Sequence, residues 1–230
     1  MPVFRLRRWP GWAALIGALL GAPTVALAAD DEAVSAAAPT PAALARGRAL
    51  AARACAACHG MDGNAVAEVF PKISGQHADY LAQQLAAFKA GAAAGSAPLR
   101  GSARVAPPMN APAAALSARD MRDLGAYYAA QPLRAAYATD VAAAARGARI
   151  WRGGIAARRV PACTACHGAA GAGLPPQYPR LAGQWAGYLR DQLIAYARGA
   201  RGAGTPMHAI AAGLDERQVR DVAEFASGLR

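Results

Sequence analysis

The chain has 230 residues, of which 55% are hydrophobic, and carries a formal net charge of +11. That length admits one or two domains. Arginine outnumbers lysine 23 to 2 in an alanine-rich sequence; this is a composition bias that gives no ground for nucleic-acid binding, and beyond the N-terminus no segment approaches the roughly 20 apolar residues needed to span a membrane.

Arg5, Arg7 and Arg8 open the chain, Trp12 to Ala22 is apolar and uncharged, and "ALA" follows at Ala26 to Ala28. This is the pattern of a secretory signal peptide, residues 1–28, with cleavage expected after Ala28 and Ala29 as the second choice. A retained anchor is the competing reading, but the uninterrupted apolar run is too short to cross a bilayer. The mature protein is therefore expected in the periplasm. Without the three leader arginines, 22 basic and 14 acidic residues remain, and they are unevenly shared. Residues 29–131 hold 9 basic against 8 acidic, residues 132–230 hold 13 against 6. Such asymmetry can orient a protein in the field of an acidic partner or an anionic membrane surface; a solvated Arg-rich surface explains it equally well.

Thr40 and Pro41 supply an N-cap and a first helical residue, predicting a helix that runs to "RACAACHG" at Arg53 to Gly60. Tyr80, Leu81, Leu85 and Phe88 then make an apolar helical stripe that Gly91 is expected to close. Met109 lies in the Pro-containing stretch "APPMN" and Met207 in "TPMHA", both read as loops before the last helix of their half. Ser117 and Asp120 form a capping box ahead of Met121, Leu124 and Tyr128 on one helical face.

The second half repeats this plan. "PACTACHG" runs from Pro161 to Gly168, and a shift of 108 residues lays Phe70 to Gly91 over Tyr178 to Gly199. Pro71/Pro179, Gly75/Gly183, Gln76/Gln184, Tyr80/Tyr188, Leu81/Leu189, Gln84/Gln192 and Leu85/Leu193 coincide. The shift then becomes 98, because the first half has ten extra residues before its methionine, and Met109 meets Met207. Upstream, "ARG" at Ala45 recurs at Ala145, with eight extra residues before the second cluster. Asp215 with Gln218, then Val219, Val222, Phe225 and Ala226, restate the last helix. A repeat of this length means two similar domains rather than a solenoid, and no segment sustains strand alternation. The expected fold is all-α: two tandem domains, 40–131 and 138–230, related by internal duplication.

All four cysteines lie in the two clusters. A Cys-x-x-Cys pair serves as a redox disulfide, as half of a zinc site or as the attachment point of a c-type haem. The histidine after each second cysteine favours haem, with thiols turned into thioethers and the imidazole on iron. One four-cysteine zinc site would have to join Cys58 and Cys163, which are 105 positions apart. In an oxidising compartment bare thiol pairs become disulfides, whereas haem attachment consumes them permanently. Two covalently bound haem c groups are therefore expected, on Cys55 and Cys58 and on Cys163 and Cys166, with His59 and His167 as iron ligands. The haems would also supply core to domains of only about 90 residues.

The sixth iron position decides the function: a methionine suits electron transfer at raised potential, an open position suits binding or chemistry. Met61 faces Ala169 in the repeat and lies too close to His59; Met121 faces Val219 on an apolar stripe; His77 faces Trp185 and His208 faces Asn110. Only Met109 and Met207 are methionine in both halves, 50 and 40 residues after their histidines. They are the expected second axial ligands, the alternative being loop packing with His77 or His208 as stand-ins.

The paired C-x-x-C-H-G units, the "P-x-x-x-G-Q-x-x-x-Y-L-x-x-Q-L" block after each, the methionine stretches and "GGIAARRVPACTACHG" resemble the cytochrome c4 family over nearly the whole mature chain. The resemblance implies two class I cytochrome c domains about a pseudo-twofold axis, with haem propionate edges facing across the interface and fast electron exchange between the haems. It implies a di-haem periplasmic carrier, not an enzyme, that hands electrons to a respiratory terminal oxidase. Its donor would be a quinol-oxidising complex or a dehydrogenase, and its attachment to the inner membrane peripheral. The competing functions are the haem subunit of a flavocytochrome sulfide dehydrogenase type of enzyme, a thiosulfate dehydrogenase and a di-haem peroxidase.

Overall fold

The Thr40 hydroxyl accepts the Ala43 N–H and Pro41 takes the first helical position, so α1 runs Pro41–Ala54. The computed structural model describes residues 38–94 and 103–230, and the leader with its cleavage sites lies outside them. α2 (Ala56–His59) is the single turn of the first cysteine cluster; α3 (Ala78–Ala94), α4 (Pro107–Ala114) and α5 (Ala118–Ala129) complete the first half. The second half restates them as α6 (Val141–Gly153), a 3-10 turn (Ala156–Arg158), α7 (Thr164–His167), α8 (Ala186–Ala197), α9 (Pro206–Ala212) and α10 (Glu216–Gly228). Both expected capping boxes are formed, Ser117 with Asp120 and Asp215 with Gln218. Among the described residues the structure is helical, with only isolated bridges and no named strand.

Two expectations about helix ends are overturned. Gly91 does not close α3, which continues to Ala94. It is buried inside the helix, where the absent side chain makes room for the backbone carbonyl of Arg104. Its repeat equivalent Gly199 does follow the end of α8, at φ 69°. The "APPMN" and "TPMHA" stretches are not loops: Pro107 and Pro206 sit at the first helical position and start α4 and α9. Proline's fixed φ and missing N–H suit the first turn, where that N–H has no intrahelical partner.

The packing is duplicated with the sequence. α1 crosses α5, α5 lies on α3 and α3 on α4; α6 crosses α10, α10 lies on α8 and α8 on α9. The recurring "ARG" explains the first crossing. A Cβ on Gly47 would overlap the Asp123 carbonyl and lie 2.7 Å from the Tyr127 Cβ; one on Gly147 would overlap the Asp221 carbonyl and lie 3.0 Å from the Phe225 Cβ. The preceding arginine pairs with the same buried aspartate, Arg46 Nε to Asp123 at 2.7 Å and Arg146 Nη2 to Asp221 at 2.7 Å. The cores differ by a volume exchange. Ala51 and Tyr128 meet in the first half, while at equivalent positions Trp151 and Ala226 join the second core. Total volume at the crossing is roughly conserved, the change cores tolerate best.

Candidate haem sites and the contact between them

In each cluster the chain makes one helical turn, with His59 N–H bonded to Cys55 O at 3.0 Å and His167 N–H to Cys163 O at 2.9 Å. Spacing of i, i+3 and i+4 places both thiols and the imidazole on one side of that turn. All four cysteines are free thiols. Among the described residues no three Cys, His, Asp or Glu side chains gather as a metal site, so the single four-cysteine zinc centre is not assembled.

The imidazoles are oriented identically. His59 Nδ1 donates to Pro71 O and His167 Nδ1 to Pro179 O, each at 3.0 Å. That bond fixes the tautomer and leaves Nε2 as the ligand nitrogen. Both rings are buried, and burial holds them below the usual histidine pKa against the opposing carbonyl bond, which favours the neutral, metal-binding form. Burial also pushes the Cys55 thiol up and brings the Cys163 thiol to about 11. The residues therefore fit haem c: a thiol pair and an oriented neutral imidazole on one turn, twice.

Met109 and Met207 are half-buried in the first turns of α4 and α9. The residue after each methionine pins its helix to the preceding one. Asn110 Nδ2 donates to Phe88 O, and His208 Nδ1 donates to Tyr196 O, both at 2.7 Å. His208, weighed above as a stand-in ligand, thus has an anchoring role that Asn110 shares. Met121 is core, as expected, and so is Val219. His77 Nε2 is buried without a partner, and so is Trp185 Nε1 at the equivalent position. Indole nitrogen is only a donor, so an iron-ligand role for His77 would have no counterpart in the second half.

Most positions of the repeated block have a structural role in both halves. Pro71 and Pro179 hold the histidines; Gly75 and Gly183 turn the chain at φ 62° and 71°. Leu81, Leu85, Leu189 and Leu193 pack in the cores. Gln76 and Gln184 clamp one half to the other. Gln184 accepts the Lys72 N–H at 2.9 Å and donates to Lys72 O at 2.7 Å; Gln76 accepts the Arg180 N–H at 2.9 Å and donates to Arg180 O at 2.8 Å. Tyr80 leaves the apolar stripe for this contact, its hydroxyl accepting Arg201 Nη2 at 2.8 Å.

The model of the cytochrome c family matches residues 44–129 and again residues 144–229. Cytochrome c4 of Azotobacter vinelandii is 39% identical over 182 residues, 77% of this chain and 85% of that protein. The chain belongs to the cytochrome c4 family. The crystal structure of reduced recombinant cytochrome c4 from Pseudomonas stutzeri superposes with a TM-score of 0.73 at 35% identity, covering 81% of this chain and 98% of that one. A protein of Stutzerimonas stutzeri named as a thiosulfate dehydrogenase electron acceptor is 39% identical over 180 residues, 76% of this chain and 78% of its own length. As a cytochrome c4 this chain is a di-haem, c-type electron-transfer protein, built from two tandem cytochrome c domains.

Proposed function

We propose that the protein carries single electrons through the periplasm from a quinol-oxidising complex or dehydrogenase to a respiratory terminal oxidase. Cys55 and Cys58 hold one haem and Cys163 and Cys166 the other, with His59/Met109 and His167/Met207 as axial pairs. The observation that carries this reading is the same assembly in both halves: a histidine fixed through Nδ1, and a methionine on a short helix pinned to its neighbour. Haem c supplies the one-electron iron couple, and methionine ligation raises its potential. The chain's own part is to keep each imidazole neutral and oriented, and to hold each methionine without rearrangement as the charge changes. With two protein ligands per iron, no position is left for substrate, so the protein is read as a carrier and not an enzyme. Among the described residues no helix is long and apolar enough to cross a membrane.

A near-infrared spectrum of the oxidised holoprotein tests the axial pairs. Both haems are expected to contribute the weak methionine-to-iron band, Met109→Ala and Met207→Ala each removing about half of it; a wild type without the band overturns the assignment. Failure of the reduced protein to reduce membranes containing a haem–copper oxidase would overturn the acceptor. The second reading is an acceptor for a thiosulfate-oxidising dehydrogenase, favoured by the 39% identity to a protein so named. Reduction of the protein by thiosulfate in the presence of such an enzyme would select it.

A further inference from the structure

Arg104 and Arg201 face each other in an antiparallel bridge between the two halves, and each is less than a tenth exposed. Arg104 Nη1 donates to Gln84 Oε1 at 2.6 Å and Nη2 to Gln192 Oε1 at 2.9 Å. Arg201 Nη1 donates to the same Gln192 oxygen at 2.6 Å, and Nη2 to Tyr80 Oη at 2.8 Å and Gln84 Oε1 at 3.1 Å. Each arginine thus reaches residues of both halves. Each also lies over an aromatic ring, Phe88 at 4.3 Å and Tyr196 at 4.6 Å.

Every one of these partners is neutral. Among the described residues no carboxylate lies within 4.0 Å of either guanidinium, although six other arginines have one. Guanidinium does not lose its proton in proteins, and two buried like charges without a counter-charge are strongly unfavourable. Burial, and then the charge of Arg201, lower the pKa of Arg104. Just before the helices that carry Gln84 and Gln192, the Trp185 Nε1 donor and the His77 Nε2 atom are buried without partners. Lys72 Nζ adds a cation 4.2 Å over the Trp185 ring. The missing chemistry is anionic, and each haem c brings two carboxylates.

We propose that Arg104 and Arg201 form one shared seat for haem carboxylates of both halves, so that each arginine sets the redox potential of both irons. The inference rests on the reading that each half holds a haem between its histidine and methionine. A nearby cation favours the reduced, less positive form, so removing either arginine lowers both potentials.

The test is a spectroelectrochemical titration of the holoprotein, with the methyl resonances of Met109 and Met207 identifying each haem by NMR. Arg104→Gln and Arg201→Gln are each expected to lower the reduced-to-oxidised ratio of both haems about tenfold at fixed potential, about 59 mV for one electron. Arg134→Gln, at an exposed ion pair with Asp62, is expected to shift neither ratio more than about twofold. Variants that move only the haem of their own half, or neither, overturn the shared seat. If the glutamine variants do not fold, Arg104→Lys and Arg201→Lys retain the charge and are expected to keep both ratios within about threefold of wild type; a tenfold fall overturns the proposal. Absence of the methionine resonances in wild type would instead sink the axial assignment, leaving the two-haem shift pattern to judge the seat.

Discussion

Gly147→Ala tests the account of the helix crossing. The added Cβ would overlap the Asp221 carbonyl oxygen and stand 3.0 Å from the Phe225 Cβ, so α6 and α10 must separate by about an ångström. Overpacking at such a contact costs up to about 3 kcal/mol. Alanine in a helix interior returns about 1 kcal/mol relative to glycine, which leaves a net loss of about 2 kcal/mol. For a domain of this size that is a fall in Tm of roughly 10 °C. Gly153→Ala is the matched control: it lies in the same helix, and its Cβ would meet nothing within 4 Å. Urea unfolding of the holoprotein, followed by far-UV circular dichroism and haem absorbance, measures both. If Gly147→Ala stays within about 0.5 kcal/mol of wild type, or Gly153→Ala loses as much, close approach is not the reason for the glycine.

Gln184→Ala leaves the buried N–H and carbonyl of Lys72 unpaired, at about 1–3 kcal/mol; hydrogen exchange at the Lys72 amide is expected to accelerate at least about tenfold, and unchanged protection would refute the clamp. Asn110→Ala removes the bonds to Phe88 O and Arg104 O and the acceptor for the Ala106 N–H. On the proposed axial assignment, external imidazole is then expected to compete with Met109 about tenfold more effectively, with the second haem unaffected; equal affinity at the first haem would show that the pin is idle. Asp62 loses by burial but gains more from hydrogen bonds with Arg134 and Asn64, which bring its pKa to about 2 from 3.8. Its stabilisation is therefore present above about pH 3.8 and lost as pH falls through about 2. With the side chain 32% exposed, solvent screening limits it to less than about 1 kcal/mol. The stability difference between wild type and Asp62→Asn should be flat from pH 7 to 5 and shrink towards pH 2; a difference that grows on acidification contradicts the depressed pKa.

The chemistry of each haem site was legible because its first three residues are neighbours in the chain: a helical turn alone brings Cys55, Cys58 and His59 together. The proposal of Met109 and Met207 as ligands rests on the internal repeat, since a single Met109 in an alanine-rich stretch has no signature. Proline and glycine misled where each has two meanings. Pro107 and Pro206 break helices from inside but start them at the first position, and only the chain path decides between these. Gly91 and Gly199 align, yet one accommodates the backbone of Arg104 within a helix and the other ends a helix. The contact between halves stayed hidden for a different reason. The partners of Arg201 in the first half lie 117 and 121 residues away. Arg104 stands five residues before Met109 while Arg201 stands six before Met207, so neither register of the repeat aligns them. The recurrence of uncharged Gln76/Gln184 and Gln84/Gln192 was a signal: polar side chains kept in both copies mark a place where the copies meet.

That meeting has the form of a twofold contact between identical subunits. Gln76 holds Arg180 and Gln184 holds Lys72, and each pair maps onto the other by the same 108-residue shift. In such an isologous arrangement every contact is made twice, so duplication of one domain supplies both sides at once. The connection between the halves adds to the contact instead of merely tethering it. Asn64 donates to Pro132 O at 2.9 Å and accepts the Arg134 N–H at 2.7 Å, and the Ala136 N–H bonds Gly183 O at 2.8 Å. Three residues further along, Glu224 takes up the N–H groups of Thr139 and Asp140. A flexible linker would leave the halves free to move apart between encounters. Here the connecting backbone is bonded on both sides, and Gln84 and Gln192 each accept from the buried Arg104 and Arg201, one arginine from each half. The two haem sites are therefore built on one joined unit and not on two tethered domains.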